Sequence, residues 1–202
     1  MGHLERKIRE RENLRNAMLD AALGIAEKEG WQALTIRKIA DAIEYTAPIV
    51  YEHFTNKEEL ISEIIRQGFI SMSKSYQDVF ENELNPKERL LAVSMGHWDF
   101  AFENKVLFQI MFSLERCTPS DEFLRIKNII KDTFVQFTHK EGEELTFIIF
   151  NWVCLMSGTI STVMMMDGQP FHAKQFAHFD PRKIFQSFIE RFLKSIEDNN
   201  EL

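Results

Sequence analysis

The chain has 202 residues, which suits a small module joined to a larger core. Apolar residues make up 45% of it, whereas 8 glycines and 5 prolines supply few turn signals, so a turn-rich fold is disfavoured and we expect an all-α protein. The net charge of −7 disfavours nucleic acid as a partner of the chain as a whole, although local basic segments can still bind phosphate.

Cysteine usage and the apolar stretches predict a cytoplasmic protein. Cys117 and Cys154 are the two cysteines, without Cys-x-x-Cys spacing, and the N-terminus has no secretory-type apolar region. The longest apolar stretch, 147–166, contains several polar residues and is followed by Asp167 and Gly168 rather than by basic anchors. We interpret it as a buried or interface helix and predict no membrane partner.

Three short helices are predicted at the N-terminus. The first runs from about Asn13 to Glu29, and Gly30 ends it. Thr35 caps a second helix that reaches about Ile43. After a turn, Thr46 caps a third helix over 47–54, with a proline in its first turn.

Longer helices are predicted for the rest of the chain. Capping boxes at Thr55 or Asn56 start a helix over 56–83, which we interpret as a rigid lever. Further helices are expected over about 85–103, 104–115, 118–139, 143–166 and 180–197, with a loop over 169–179. The total is about nine helices in two domains, 1–55 and 56–202.

The short third helix has the geometry of a helix that enters a DNA major groove. Its first turn carries the small residues Ala47 and Pro48, which allow close approach to bases. Groups suited to phosphate surround it: Thr35, Arg37, Thr46, Tyr51, His53 and Lys57. The alternative is that the aromatic side chains only pack and the polar ones are solvated surface.

Three motifs resemble the helix-turn-helix signature of the tetracycline-repressor (TetR) family of bacterial transcription regulators. They are Ile39-Ala40, Tyr51-x-His53-Phe54 and Lys57-Glu58-Glu59-Leu60, and the resemblance covers about residues 13–62. The family usually has glycine at the turn, where this chain has Glu44, and a small or basic residue with glycine at Ala47-Pro48. Glu44 therefore requires either a left-handed backbone or a different turn.

The resemblance implies a homodimer on a roughly palindromic double-stranded DNA operator, with recognition helices about 34–36 Å apart. Base contacts would fall to Thr46, Ala47, Pro48 and Ile49, through apolar contact with thymine methyl groups. The basic segment from Arg6 to Arg15 has two open interpretations. It contacts phosphate or the minor groove, or it is a disordered, solvated tail.

Two helix faces in the larger domain predict a dimer interface. A stripe of small residues allows close helix approach, and the last helix has a wide apolar face. The predicted interface residues are Cys154, Gly158, Ser161, Thr162, Phe185, Phe188 and Phe192. Burial of both faces within one chain is the alternative, and the resemblance to the family favours the dimer.

The resemblance also implies an effector pocket, and its aromatic and methionine residues favour a small hydrophobic or aromatic compound. The candidate lining residues are Trp98, Phe102, Phe108, Met111, Phe112, Phe134, Phe137 and Trp152, with His97 and Asn151 as polar contacts.

No pattern in the sequence predicts catalysis, a metal site or a cofactor. There is no nucleophile elbow, glycine-rich phosphate loop or paired histidine spacing, so we predict no enzyme. The favoured function is a ligand-responsive transcriptional repressor released from its operator by its effector. The alternative is a helical ligand-binding or protein-docking module whose helix-turn-helix does not read DNA specifically, which the acidic residues Glu44 and Glu52 motivate.

Overall fold

The computed structural model describes residues 2–81, 85–113, 121–166 and 180–200. These residues form nine α-helices and one 3₁₀ helix, with no strand among them. The helices are α1 (His3–Glu29), α2 (Ile36–Ala42), α3 (Ala47–Tyr51), α4 (Lys57–Glu81), α5 (Pro86–Glu103), α6 (Lys105–Met111), α7 (Asp121–Thr138), α8 (Gly142–Met166) and α9 (Pro181–Asn200). The 3₁₀ helix, Trp31–Ala33, follows Gly30 and was not predicted.

The all-α prediction is confirmed, and most helix boundaries agree with the predicted ones within three residues. Two boundaries were wrong by more than three residues: helix α1 begins at His3 rather than near Asn13, and α6 ends at Met111 rather than near 115. Helix α3 ends at Tyr51, three residues before the predicted Phe54. The predicted start of the next helix at 118 and the predicted loop over 169–179 lie outside the described residues, as does Cys117.

The early start of α1 changes the interpretation of the basic segment. Residues 3–12 are helical and exposed, so the segment is not a disordered tail. Glu5 accepts a hydrogen bond from the Gly2 backbone N–H at 3.0 Å, which stabilises the first turn. Arg6 and Glu10 form an i,i+4 ion pair at 3.5 Å, an arrangement that supports an exposed helix by a few tenths of a kcal/mol.

The chain forms two compact units, one comprising residues 1–70 and 104–120 and the other 71–103 and 121–202. The division at 55/56 remains our prediction for the functional domains. In the first unit the core is built from one face of α1 and the apolar sides of α2, α3, α4 and α6. Its fully buried members include Met18, Ile39, Val50, Phe54 and Ile61.

The second unit has a buried polar network within an apolar core. The indole N–H of Trp152 donates to the Ser94 hydroxyl at 3.0 Å, and that hydroxyl donates to the Leu90 carbonyl at 2.7 Å. The Tyr76 hydroxyl lies 2.8 Å from Nδ1 of His97, and both side chains are buried. Each of these polar groups thus has a partner, which removes much of the cost of burying it.

Helix α8 has an exposed face that is unusually apolar. Phe147 and Phe150 are each 64% exposed and Met165 is 75% exposed. The helix is long and apolar enough to cross a membrane by length and composition, and 17% of its most apolar segment is buried within the protomer. A core helix of one protomer would be mostly buried, so this face requires another explanation.

Candidate nucleic-acid interface

The turn between α2 and α3 is made by a glutamate in a left-handed conformation. Glu44 has a φ of 60°. Of the two predicted possibilities, a left-handed backbone or a different turn, the chain adopts the left-handed backbone. The backbone N–H of Glu44 donates to the Asp41 carbonyl at 3.3 Å, and the N–H of Tyr45 donates to the Ala40 carbonyl at 2.9 Å. These two bonds form a Schellman motif, which ends α2 and offsets part of the left-handed strain.

Helix α3 is held by its buried side and exposes its leading edge. Val50 and Phe54 are 0% and 1% exposed, whereas Pro48 is exposed and Tyr51 is 54% exposed. Thr46 occupies the N-cap position, but its side chain forms no cap hydrogen bond. The first turn of α3 therefore presents small side chains and a hydroxyl to solvent.

Every predicted DNA-binding residue is at least partly exposed. Thr35, Arg37, Thr46, Pro48 and Tyr51 are exposed, and Ala47, Ile49, His53 and Lys57 are half-buried. The Thr35 hydroxyl has a structural role as well, because it caps α2 by accepting from the Lys38 N–H at 3.2 Å. All nine residues lie on α2, α3 and the start of α4 or next to them, within the first compact unit.

Two arginines of α1 hold the C-terminal end of α3. Arg15 donates to the His53 carbonyl at 2.7 Å, and its guanidinium lies 4.1 Å from the Phe54 ring centroid. Arg11 donates to the Glu52 carbonyl at 3.5 Å. Partial burial and the charges of these two arginines lower the pKa of His53, so its imidazole is mainly neutral at pH 7.

The start of α4 has one of the two hydrogen bonds of the predicted Asn56–Glu59 capping box, and the second bond goes to Thr55 instead of Asn56. Asn56 Oδ1 accepts from the Glu59 N–H at 2.8 Å, while the Glu59 carboxylate accepts from the Thr55 N–H at 2.6 Å. Hydrogen bonding to Thr55 lowers the pKa of Glu59. Lys57 is the first residue of the helix, where free backbone N–H groups add to its own attraction for anions.

Two residues of this region were not among the predicted DNA-binding residues. Tyr45 is 49% exposed beside the N-cap of α3, and its proximity to Thr46 in the sequence was a usable signal. Arg15 was assigned only to a basic segment. Its contacts with α3 join residues 38 positions apart, so no local pattern could have found them.

Most predicted effector-binding residues are core residues, divided between the two units. In the second unit, Trp98 stacks on Phe102 with ring centroids 4.3 Å apart, and Phe134 meets Trp152 edge-on at 5.3 Å. His97 is buried there and Phe137 is half-buried. In the first unit Phe108 and Met111 are buried. Phe112 is 37% exposed, so it is not a core residue, although its ring centroid lies 4.5 Å from that of Phe108.

Asn151 requires a correction. It is exposed and lies one helical turn before Cys154 on α8, so it belongs to the exposed face of that helix and not to the buried aromatic residues. Asn151 and Trp152 differ in burial because they are adjacent on α8, and adjacent helical residues point about 100° apart. Trp152 takes the buried direction and Asn151 the exposed one.

Of the seven predicted interface residues, five are exposed, one is half-buried and one is buried. Cys154, Gly158 and Ser161 and Thr162 are all exposed on α8, and Phe188 is 41% exposed on α9. Phe192 is half-buried. Phe185 is fully buried within the protomer, with its ring centroid 4.9 Å from that of Trp98, so its assignment to the interface was wrong.

An open depression of about 620 Å³ lies at the start of α8 and contains none of the predicted effector-binding residues. Lys131, Glu143, Leu145, Thr146 and Phe147 are among its lining residues. Within the parts of the chain that are described, no group of three or more histidine, cysteine, aspartate or glutamate side chains could hold a metal ion.

Comparison with known proteins identifies the family. Residues 18–64 match the model of the bacterial regulatory proteins of the tetR family, and this range contains α2, α3 and the turn described above. Residues 18–64 are a TetR-family helix-turn-helix region. The TetR family is a family of transcriptional regulators rather than enzymes, in agreement with the sequence prediction.

The similarity extends beyond the helix-turn-helix. The chain is 25% identical over 138 residues to the HTH-type transcriptional repressor KstR2 of Mycobacterium tuberculosis, which covers 68% of this chain and 64% of that protein. It thus spans a little under two thirds of the length of this curated relative.

Two solved structures share the fold. The TetR family regulator PfmR from Thermus thermophilus superimposes with a TM-score of 0.62 at 15% identity, covering 88% of this chain and 97% of that one. A TetR variant from Acinetobacter baumannii, in complex with minocycline, gives a TM-score of 0.65 at 15% identity, covering 91% and 96%. The TetR fold therefore includes the larger helical part of the chain.

Proposed function

We propose that this protein is a cytoplasmic transcriptional repressor that binds a palindromic DNA operator as a homodimer and is released by a small hydrophobic or aromatic effector. The observation that carries the proposal is the exposed leading edge of α3, from Thr46 to Ile49, anchored from behind by the buried Val50 and Phe54. A helix whose first turn is small and exposed is suited to entering a major groove.

The residues around that edge divide by role. Tyr51, Arg37 and Lys57 are positioned for phosphate oxygens, whose contacts fix register without reading sequence. The side chains of Ala47, Pro48 and Ile49 have no hydrogen-bonding groups, so they suit the methyl groups of thymine. We expect an operator in which A·T pairs fall opposite the first turn of α3.

Dimerisation through α8 and α9 is supported by the exposed apolar face. Phe150, Cys154 and Gly158 recur at helical spacing along α8, and Phe188 adds exposed apolar surface on α9. Monomeric soluble proteins rarely have so long an apolar stripe exposed to solvent. The small residues in the stripe suit close approach by the same helix of a second copy, as a two-fold axis requires.

The proposal of an effector rests on two similar proteins and on the aromatic core of the second unit. KstR2 is named a repressor, and the Acinetobacter TetR structure contains minocycline. The core of the second unit is rich in aromatic side chains, with His97 and Tyr76 as a buried titratable pair. A pocket opened among these side chains would favour an apolar or flat aromatic compound with few polar groups.

Selection of binding sites from a random duplex library tests DNA reading. A palindromic consensus is expected, with affinity that falls steeply as salt rises. Replacement of Lys57 by alanine should weaken all duplexes about evenly, whereas Ile49→Ala should change the preference between sequences. Lys127→Ala is the matched control for Lys57→Ala, because it removes one exposed positive charge from α7. Failure to enrich any sequence would favour the docking-module alternative.

The effector response is tested by reciprocity. If operator and effector favour different states, saturating effector must weaken operator binding by the factor by which operator weakens effector binding. A panel of hydrophobic compounds is screened by thermal shift, and operator affinity is then measured with and without each stabilising compound. Equal operator affinities with every bound compound would refute the switch and leave DNA binding intact.

A further inference from the structure

We propose that Arg15 is a positioning residue for operator recognition, which sets the angle of the recognition helix without touching DNA. This inference rests on the proposed DNA-binding function. It assigns specificity to a residue of α1, although the DNA-reading edge belongs to α3. The argument concerns only the first compact unit, in which all the contacts below lie.

The C-terminal end of α3 is tied to α1 through the two residues that follow the helix. The backbone N–H groups of Glu52, His53 and Phe54 close the end of this five-residue helix on its own carbonyls. The His53 carbonyl accepts from Arg15 at 2.7 Å, a charge-assisted bond, and the Glu52 carbonyl accepts a longer bond from Arg11. A cation at a helix C-terminus is also favoured by the helix dipole.

Arg15 contacts three residues, two in the segment between α3 and α4 and one on α4. Besides the His53 carbonyl, its guanidinium covers the ring of Phe54, which is the buried anchor that follows α3. Its other terminal nitrogen lies 3.9 Å from the Glu63 carboxylate on α4, a distance that gives charge attraction but no hydrogen bond. The Arg15 side chain is 33% exposed and that of Glu63 is 15% exposed, so both are partly shielded from solvent.

Glu63 is itself fixed on α4. Its carboxylate accepts two hydrogen bonds from Arg66, at 2.9 and 2.7 Å, and one from Gln67 at 3.2 Å. A short helix has little stability of its own, so its direction is set by what holds its ends. Arg15 joins the end of α3 to α1 and to the first turns of α4, and a change at this residue should therefore tilt the reading edge.

The test separates positioning from direct phosphate contact. Operator and scrambled duplexes of equal length are titrated by fluorescence anisotropy over a range of KCl concentrations, for the wild-type protein, Arg15→Lys and Arg15→Met. For Arg15→Met we expect operator affinity to fall about tenfold or more. Affinity for the scrambled duplex should change less than about threefold, and the slope of log affinity against log salt should be unchanged. Arg15→Lys keeps the charge but not the planar fork, so it should also lose discrimination.

Controls address charge and folding. Lys28→Met removes one exposed positive charge from the same helix, outside the basic segment from Arg6 to Arg15, and should leave the ratio of operator to scrambled affinity unchanged. All titrations are run at a temperature at which far-UV circular dichroism shows each variant fully folded. A purely structural role for Arg15 would lower the midpoint of unfolding but preserve discrimination in this folded range, and that result would overturn the proposal.

Two further outcomes are decisive. If Arg15→Met weakens both duplexes equally and reduces the salt slope by about 1 for each protomer, Arg15 binds phosphate directly and the positioning role is wrong. If the wild-type protein itself does not distinguish operator from scrambled duplex, the proposed function fails and the specificity role of Arg15 fails with it. The first outcome leaves DNA recognition intact, so the two failures are distinguishable.

Discussion

Replacing Gly158 by alanine tests the proposed dimer with a single methyl group. Gly158 lies inside α8 and is exposed, and a Cβ added there meets no heavy atom within 4 Å in the protomer. Glycine in an exposed helix interior is less favourable than alanine by about 1 kcal/mol. For an isolated protomer, Gly158→Ala should therefore raise the free energy of unfolding by about 1 kcal/mol.

A close helix contact in the dimer would make the same substitution unfavourable for dimerisation. If α8 of a second copy packs against the small-residue stripe, each protomer adds one methyl group to a surface that has no room for it. Overpacking of this kind costs about 1–3 kcal/mol. The dimer dissociation constant should then rise roughly fivefold to a hundredfold.

Sedimentation equilibrium over a dilution series gives the dissociation constant, and urea unfolding at several protein concentrations gives the stability. Gly24→Ala is the matched control, because Gly24 is also inside a helix and its added Cβ also has open space around it. It should stabilise the protein at every concentration and leave dimerisation unchanged. If Gly158→Ala behaves in the same way, Gly158 does not lie at a close helix contact and the reasoning is refuted.

Three further predictions concern stability. Ser94→Ala leaves the buried N–H of Trp152 without its partner and should cost about 1–3 kcal/mol in urea unfolding; a loss below about 0.5 kcal/mol would contradict this. Glu44→Gly relieves the left-handed strain and should stabilise the protein by up to about 1 kcal/mol, whereas Glu44→Val should destabilise it. Burial lowers the pKa of His97 to about 4, so the unfolded state binds the proton more tightly. The stability that this group contributes is complete above about pH 6.5 and is lost as the pH falls towards 4, a difference on the order of 3 kcal/mol that His97→Asn should remove.

Much of the helical framework was predictable because its signals are local. Thr35 and Asn56 stand directly before α2 and α4 and accept the expected N3 hydrogen bonds, and Pro86 begins α5. The turn at Glu44 was recognised as requiring a left-handed backbone or another geometry, but the choice between them depends on the Schellman hydrogen bonds that α2 and α3 allow. The nine predicted DNA-binding residues are each at least partly exposed, as binding requires.

The errors fall where distant groups decide the outcome. Helix α1 extends back to His3, beyond the range in which an apolar stripe predicts a helix, and is supported there by polar contacts such as that of Glu5. Phe185 and Phe188 are three residues apart on α9, yet Trp98 covers the first and solvent reaches the second. Helical periodicity identifies a wide apolar face but does not tell which part of it a neighbouring helix covers.

The sequence by itself determined most helices, several of their caps and the resemblance to the TetR family. These features depend on residues that are close together in the sequence: hydrogen bonds three or four positions apart and the spacing of a few motif residues. Only the tertiary structure decided which side chains hold α3, which aromatic rings are core, and which face of α8 stays exposed. Those outcomes depend on pairs such as Arg15 with His53 and Trp152 with Ser94, which are separated by 38 and 58 positions. Their contact energies exist only after the helices have packed.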